Sequence, residues 1–146
     1  MDNNASDVAD INVDGTVLPN VPLSNIELDD AVMRLNIPNF RGCYCRNVLP
    51  KICHRVECGI LNLDDSTGSG THWTAWYKDN NNKIYFDSYG LDPPLELIKY
   101  LGKGIYCSTD HIQPPNTVVC GHLCLYVLKK LTDGMDYQDV LNSLIC

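Results

Sequence analysis

Apolar residues recur at helical spacing in four stretches of the chain. Leu28, Val32 and Leu35 follow Ser24-x-x-Glu27, a pattern in which the serine accepts from a backbone N–H and the glutamate reaches back, so a helix is predicted from Ser24 to about Leu35. Asp92-Pro93 opens a second, with Leu95, Ile98 and Leu101 on one side and Gly102 as its stop. A third carries Cys120, Leu123, Cys124, Val127, Leu128 and Leu131, spaced i, i+3, i+4, i+7, i+8 and i+11. The last starts at Asp136 and turns Val140, Leu141 and Leu144 inward.

Strand-like patterning lies between these helices. Residues 72–78 and 83–89 are rich in aromatic and β-branched residues and bracket Asp79-Asn80-Asn81-Asn82, a four-residue turn. With that turn as the loop, Lys78 opposes Lys83, Thr74 opposes Asp87 and His72 opposes Tyr89. Period-two alternation then puts His72, Thr74, Trp76, Tyr85, Asp87 and Tyr89 on one face, with His72 diagonal to Asp87. Diagonal neighbours lie roughly 7 Å apart at the backbone, within reach of an imidazole–carboxylate hydrogen bond. A further short strand is predicted over 105–107. Strands and helices in this order make an α+β layout.

Composition adds limits. A chain of 146 residues is the size of one domain and buries about two thirds of its unfolded surface. It holds no apolar run of about 18 residues and no basic-then-apolar N-terminus, so a soluble protein without a signal peptide is expected. The net charge of -7 is unevenly placed. Residues 1–30 hold Asp2, Asp7, Asp10, Asp14, Glu27, Asp29 and Asp30 and no Lys or Arg, leaving 11 acids against 11 bases in the rest. Residues 1–22, polar and spotted with Pro and Asn, are expected to be a mobile acidic leader, either a pro-segment or an inert tail, ahead of a single domain over 23–146.

Candidate chemistry centres on Cys120, where a polar loop becomes a helix. Unpaired N–H groups and the helix macrodipole favour a thiolate there, and a cysteine pKa can fall from about 8.5 toward neutrality. The same N–H groups can hold an oxyanion. The plain alternative is that Cys120 and Cys124 are small core residues one turn apart. His72 with Asp87 supplies a base and a carboxylate that sets its tautomer, and the alternative for these is an ordinary surface pair. Gln113, in a loop stiffened by Pro114 and Pro115, could donate its side-chain amide to an oxyanion beside the Cys120 N–H. Together these are the parts of a cysteine acyl-transfer site.

At these residues the chain resembles the adenovirus-type (adenain-like) cysteine proteases, in the larger group that includes the SUMO-specific proteases. The resemblance rests on His72-Trp73, on Asp87 before an aromatic-Gly pair, and on Gln113-x-Pro115-Asn116-Thr117-x-x-Cys120-Gly121. The order His, acid, Gln, Cys is characteristic of that group, and the seven-residue step from Gln113 to Cys120 is that of the adenovirus branch. Ile37-Pro38-Asn39-Phe40-Arg41-Gly42 and residues 57–64 resemble adenain-related proteases of Polinton-type elements and small DNA viruses. The resemblance implies a central mixed sheet flanked by helices, with the Cys120 helix packed on it and His72 and Asp87 presented from neighbouring strands. It implies a thiol endopeptidase with His72, Asp87 and Cys120 as triad, Gln113 and the Cys120 N–H as oxyanion hole, and Trp73 and Gly121 at the substrate cleft. Substrates would be viral precursor proteins cut at Gly-containing sites during virion maturation, within the host cell or the virion. No cofactor or membrane is implied.

Adenovirus proteases are activated by viral DNA and by a short peptide that can be disulfide-linked to the enzyme. The neutral body, with only Arg41/Arg46 and Lys129/Lys130 as short basic pairs, speaks against DNA activation. Cys107 stands near the place of a peptide-linking cysteine without the family spacing, and its plainer reading is a strand cysteine. A deubiquitinase or SUMO isopeptidase would use the same chemistry on a Gly-Gly tail, and an acetyltransferase a similar triad. A non-catalytic binding module, with zinc on Cys43, Cys45, Cys53, His54 and Cys58, is the remaining class, although the ligand spacing fits zinc poorly.

Overall fold

A computed structural model describes residues 9–64, 72–114 and 117–145. A five-stranded sheet in the order β3-β4-β5-β6-β7 forms the centre. Its strands are β3 (Phe40–Cys45), β4 (Glu57–Asn62), β5 (Trp73–Lys78), β6 (Lys83–Phe86) and β7 (Tyr106–Cys107). The pairs β4–β5 and β5–β6 are antiparallel, while β3–β4 and β6–β7 are parallel, so the sheet is mixed.

The β5–β6 hairpin has the expected register: Lys78 pairs with Lys83, Trp76 with Tyr85 and Ala75 with Phe86. Asp79 Oδ1 closes the turn by accepting from the N–H groups of Asn81 (2.8 Å) and Asn82 (2.7 Å). Strand β4 showed no alternation in sequence because it is covered on both faces: all six of its residues are buried. Cys58 and Ile60 face one layer and Leu61 the other.

The larger layer holds α1 (Asn25–Leu35), α3 (Cys120–Thr132) and α4 (Tyr137–Ile145), packed on Ile60, Ala75, Ile84 and Phe86. Helix α1 starts with the capping box: Glu27 N donates to Ser24 Oγ at 3.1 Å, and Ser24 N donates to Glu27 Oε1 at 2.9 Å. Helix α3 is buried on more than one stripe, with Gly121, His122 and Leu125 also inside. It lies between the sheet on one side and α1, α4 and an N-terminal hairpin on the others.

The opposite layer holds α2 (Leu95–Leu101), against Leu61, Trp76 and Tyr85. Here the expected face is corrected. Leu97 and Leu101 are buried, whereas Leu95 and Ile98 are exposed, because this two-turn helix starts after Pro94 and lays its i, i+4 pair on the sheet. Gly102 ends it at φ 82.

The mobile leader is also corrected as far as residues 9–22 are concerned; residues 1–8 lie outside the described residues. Strands β1 (Ile11–Val13) and β2 (Thr16–Leu18) form a hairpin, with Asp14 (φ 48) and Gly15 (φ 92) as its two-residue turn. An Asp-Gly pair at left-handed φ matches the twist of the strands. Val13 and Leu18 are buried in the larger core, and Lys130 Nζ of α3 meets Asp14 Oδ1 at 2.8 Å.

On the α2 side, Glu57 is a fully buried carboxylate. It accepts from Arg41 Nη1 (2.8 Å), Trp76 Nε1 (2.8 Å), Tyr100 OH (2.8 Å) and His54 N (2.6 Å). These donors replace its water and hold it below the ordinary carboxylate pKa despite burial, which acts the other way. The Trp76 ring lies flat over Gly59: a Cβ there would sit 2.2 Å from Trp76 Cη2. Gly59→Ala is expected to lower stability by about 3 kcal/mol through overpacking, read as a lower urea midpoint at unchanged m-value. An unchanged midpoint would show that the ring does not rest on Gly59.

Candidate active site

Cys120 is the first residue of α3. No side chain caps the helix at Val119, so its first-turn N–H groups are left for another acceptor. His72 immediately precedes β5 and Asp87 immediately follows β6. Trp76 and Tyr85 face the α2 side. His72 and Asp87, one step beyond the strand ends, meet the start of the helix on the other face. The single face expected to hold all six side chains therefore splits: its paired positions bury an aromatic core, and its ends form the site.

His72 Nε2 lies 2.8 Å from Asp87 Oδ1. That leaves Nδ1 as the ring nitrogen for Cys120, whose interaction with His72 raises the imidazole pKa. Asp87 is buried, and its Oδ1 also accepts from Tyr89 N at 2.9 Å, which holds the carboxylate in place. Tyr89 stacks on the imidazole at 4.6 Å and 17°, as the cross-strand pairing of 72 with 89 suggested.

The electrostatics follow from these contacts. Burial pushes the Cys120 thiol up. The His72 hydrogen bond, the Trp73 and Gly121 N–H groups and the His72 charge outweigh it and leave the thiol below its ordinary value. Burial lowers the His72 pKa, but its hydrogen bonds to Asp87 and Cys120 and their charges raise it to about 9. Thiolate and imidazolium thus stabilise one another and titrate as a pair. Other cysteines move the opposite way: burial pushes Cys58 up to about 12 and raises Cys43, Cys107 and Cys124.

A cavity of about 310 Å³ opens on Cys120, lined by Pro22, Leu23, His72, Trp73, Tyr89, Gln113, Thr117 and Val118. Gln113 is 1% exposed. Its Nε2 donates to Thr117 O at 2.9 Å, and its Oε1 accepts from Ser88 Oγ at 2.6 Å. Trp73 lines the cavity and donates its Nε1–H to Leu23 O at 2.9 Å. Gly121 follows Cys120 in the first turn of α3, where a Cβ would meet Leu28 Cδ2 at 3.2 Å and the cavity residues Leu23 (Cδ1) and Trp73 (Cδ1) at 3.5 Å. Pro115 and Asn116 of the Gln-to-Cys motif lie outside the described residues.

Pro22, Leu23, Ser88 and Thr117 were missed in sequence. In composition Pro22 and Leu23 belong to the leader and its border with the domain, and for Ser88 the only sequence signal is its adjacency to Asp87. The residues weighed for zinc are dispersed: Cys43 Sγ contacts Asp29 (3.5 Å), Cys58 Sγ contacts Pro38 O (3.5 Å), and among the described residues no three His, Cys, Asp or Glu form a cluster. Cys107 lies in edge strand β7, partly buried.

The chain is 30% identical over 131 residues to the protease of Bovine adenovirus 2, across 75% of this chain and 63% of that one. It is 25% identical over 114 residues to the cysteine protease S273R of African swine fever virus (strain Badajoz 1971 Vero-adapted), across 67% and 41%. The same protein in the Warthog/Namibia isolate bears the name SUMO-1 cysteine protease. The crystal structure of the African swine fever virus pS273R protease superposes with a TM-score of 0.62 at 17% identity, covering 85% of this chain and 63% of that one. No family model matches. The chain is thus similar in sequence to viral proteases of adenovirus and African swine fever virus and shares the α+β fold of the latter, while spanning less than two thirds of their length.

Cys120 is expected to react with iodoacetamide well below the pH at which ordinary thiols do. The rate should stay level through neutral pH and change only as His72 loses its proton near 9. In His72→Ala the thiolate loses its partner and the profile should shift to higher pH. Mass-spectrometric mapping across pH 5–10 checks both, and a Cys120 no faster than Cys58 or Cys124 would contradict the ion pair.

Proposed function

We propose that this chain is a cysteine-type endopeptidase that cleaves protein substrates. The observation that carries the reading is the linkage of Cys120 through His72 to buried Asp87 at a cavity that also holds the Gln113 amide. The Cys120 thiolate attacks the peptide carbonyl carbon, forming the C–S bond, and the π electron pair moves to oxygen. The Cys120 N–H and the second Nε2 hydrogen of Gln113 receive that oxyanion. The His72 imidazolium protonates the leaving amine and then, as base, takes a proton from the water that hydrolyses the thioester. Asp87 Oδ1 keeps Nε2 protonated, so that Nδ1 exchanges the proton.

Trp73, Val118 and Leu23 stand around Cys120 beside the buried Gln113, and glycine next to the scissile bond is the residue whose side chain would meet none of them. Together with the viral proteases among its relatives, this supports cleavage of viral precursor proteins at Gly-containing sites in an infected cell, during virion maturation. Activation by DNA is not part of the proposal. Arg41 is held by Glu57, Arg46 lies 3.9 Å from Glu96, and Lys129 and Lys130 pair with Asp133 and Asp14, so these cations already have protein partners. An activating peptide at edge strand β7 would show as a rise in activity, with a disulfide at Cys107, on adding thiol-bearing peptides.

A peptide library read by mass spectrometry should show glycine enriched next to the cut, and a preference for bulky residues there would count against this specificity. Gln113→Ala should lower kcat by about 10²-fold with little change in KM. The name SUMO-1 cysteine protease among the relatives favours one second reading, an isopeptidase acting on diglycine tails. Capture of an electrophilic diglycine-tailed SUMO by Cys120, with no cleavage of linear peptides, would select it.

A further inference from the structure

Ser88 follows the acid of the site and is fully buried. Its hydroxyl donates to Gln113 Oε1 at 2.6 Å, and its carbonyl accepts from the backbone N–H groups of Ile112 (2.8 Å) and Gln113 (3.0 Å). One residue therefore grips Gln113 by both backbone and side chain. At the other end of the amide, Thr117 O accepts from Nε2 at 2.9 Å, which dictates that the amino group and not the oxygen faces that carbonyl. Thr117 and Gln113 both line the Cys120 cavity. Of the two Nε2 hydrogens, one is committed to Thr117, which leaves the second for the oxyanion that the peptidase reading requires.

We infer that Ser88 is a positioning residue for catalysis: its hydroxyl locks the plane of the Gln113 amide and polarises it toward the oxyanion. A hydrogen bond into the amide oxygen shifts electron density from nitrogen and strengthens the N–H as a donor, an effect enlarged by the low local dielectric. Without it, Oε1 is a buried acceptor lacking its hydroxyl donor, and the amide gains freedom to turn away. The turn that starts at Asp87 then serves both halves of the reaction, since Asp87 sets His72 and Ser88 sets Gln113. This rests on the peptidase reading above.

The test separates oxyanion stabilisation from thiolate formation. Alkylation by iodoacetamide displaces iodide and develops no oxyanion, so it reports the Cys120–His72 pair alone. A peptide aldehyde ending in glycinal adds Cys120 sulfur to its carbonyl carbon and places oxygen in the oxyanion site, so its affinity reports Gln113. Ser88→Ala should weaken aldehyde binding and lower kcat about tenfold, a part of the 10²–10³ given by a whole oxyanion donor, with KM and the alkylation rate within about twofold of wild type. Ser88→Cys keeps a donor, weaker and on a larger atom, and should fall between the two, so the inference does not depend on Ser88→Ala folding. In a Gln113→Ala background the Ser88 substitution should cost nothing more. Unchanged aldehyde affinity, a parallel fall in alkylation, or an equal loss without Gln113 would overturn the role of Ser88. A wild-type Cys120 that neither alkylates ahead of the other cysteines nor binds the aldehyde would instead overturn the peptidase reading, and this inference with it.

Discussion

The 2.8 Å contact between His72 Nε2 and Asp87 Oδ1 is the constraint around which this molecule is organised. It joins the start of β5 to the end of β6, so it forms only when the hairpin closes with Lys78 opposite Lys83. A slip of one residue would turn Trp76 and Tyr85 out of the α2-side core and separate the pair. Burying the hairpin aromatics and joining the site are thus one structural event. The carboxylate in turn gives His72 its raised pKa, and the imidazolium makes the Cys120 thiolate favourable in a place where burial opposes it.

The opposite end of the sheet solves a similar problem with a different outcome. Glu57 is as deeply buried as Asp87, yet it is surrounded by donors from Arg41, Trp76, Tyr100 and His54. Its charge is fully used in holding β3, β4, β5 and α2 together. At the site, Asp87 Oδ1 is shared by the histidine and the Tyr89 N–H, and the histidine keeps a nitrogen for the thiol. A saturated network makes a rigid scaffold, while a network that ends in a polarisable thiolate makes a reactive centre.

The N-terminal hairpin belongs to the same logic. It covers α3, and the chain leaving it runs past the cavity: Pro19 O lies 2.8 Å from Nε2 of buried His122, and Leu23 O accepts from Trp73. Pro22 and Leu23 thereby become walls of the cleft. An acidic, Pro- and Asn-spotted composition pointed to a leader, but Asp14-Gly15 between Val13 and Thr16 is a two-residue hairpin signal, and local turn chemistry outweighed composition.

The sequence by itself determined the parts whose cause is local. The capping box of α1, the β5–β6 turn and register, the apolar stripe beneath Cys120 and the order His72, Asp87, Gln113, Cys120 follow from residue type and spacing. Tertiary structure decided what depends on neighbours distant in the chain. Strand β4 carries no alternation because both faces are buried, and α2 chose Leu97 and Leu101 because the sheet lies on that side. Gly121 packs against Leu28 of α1 as well as Leu23 and Trp73, and Ser88 became the partner of Gln113 across 25 residues. Periodicity reports which residues share a face. Only packing decides what that face meets and which hydroxyl lies within hydrogen-bonding distance of a buried amide.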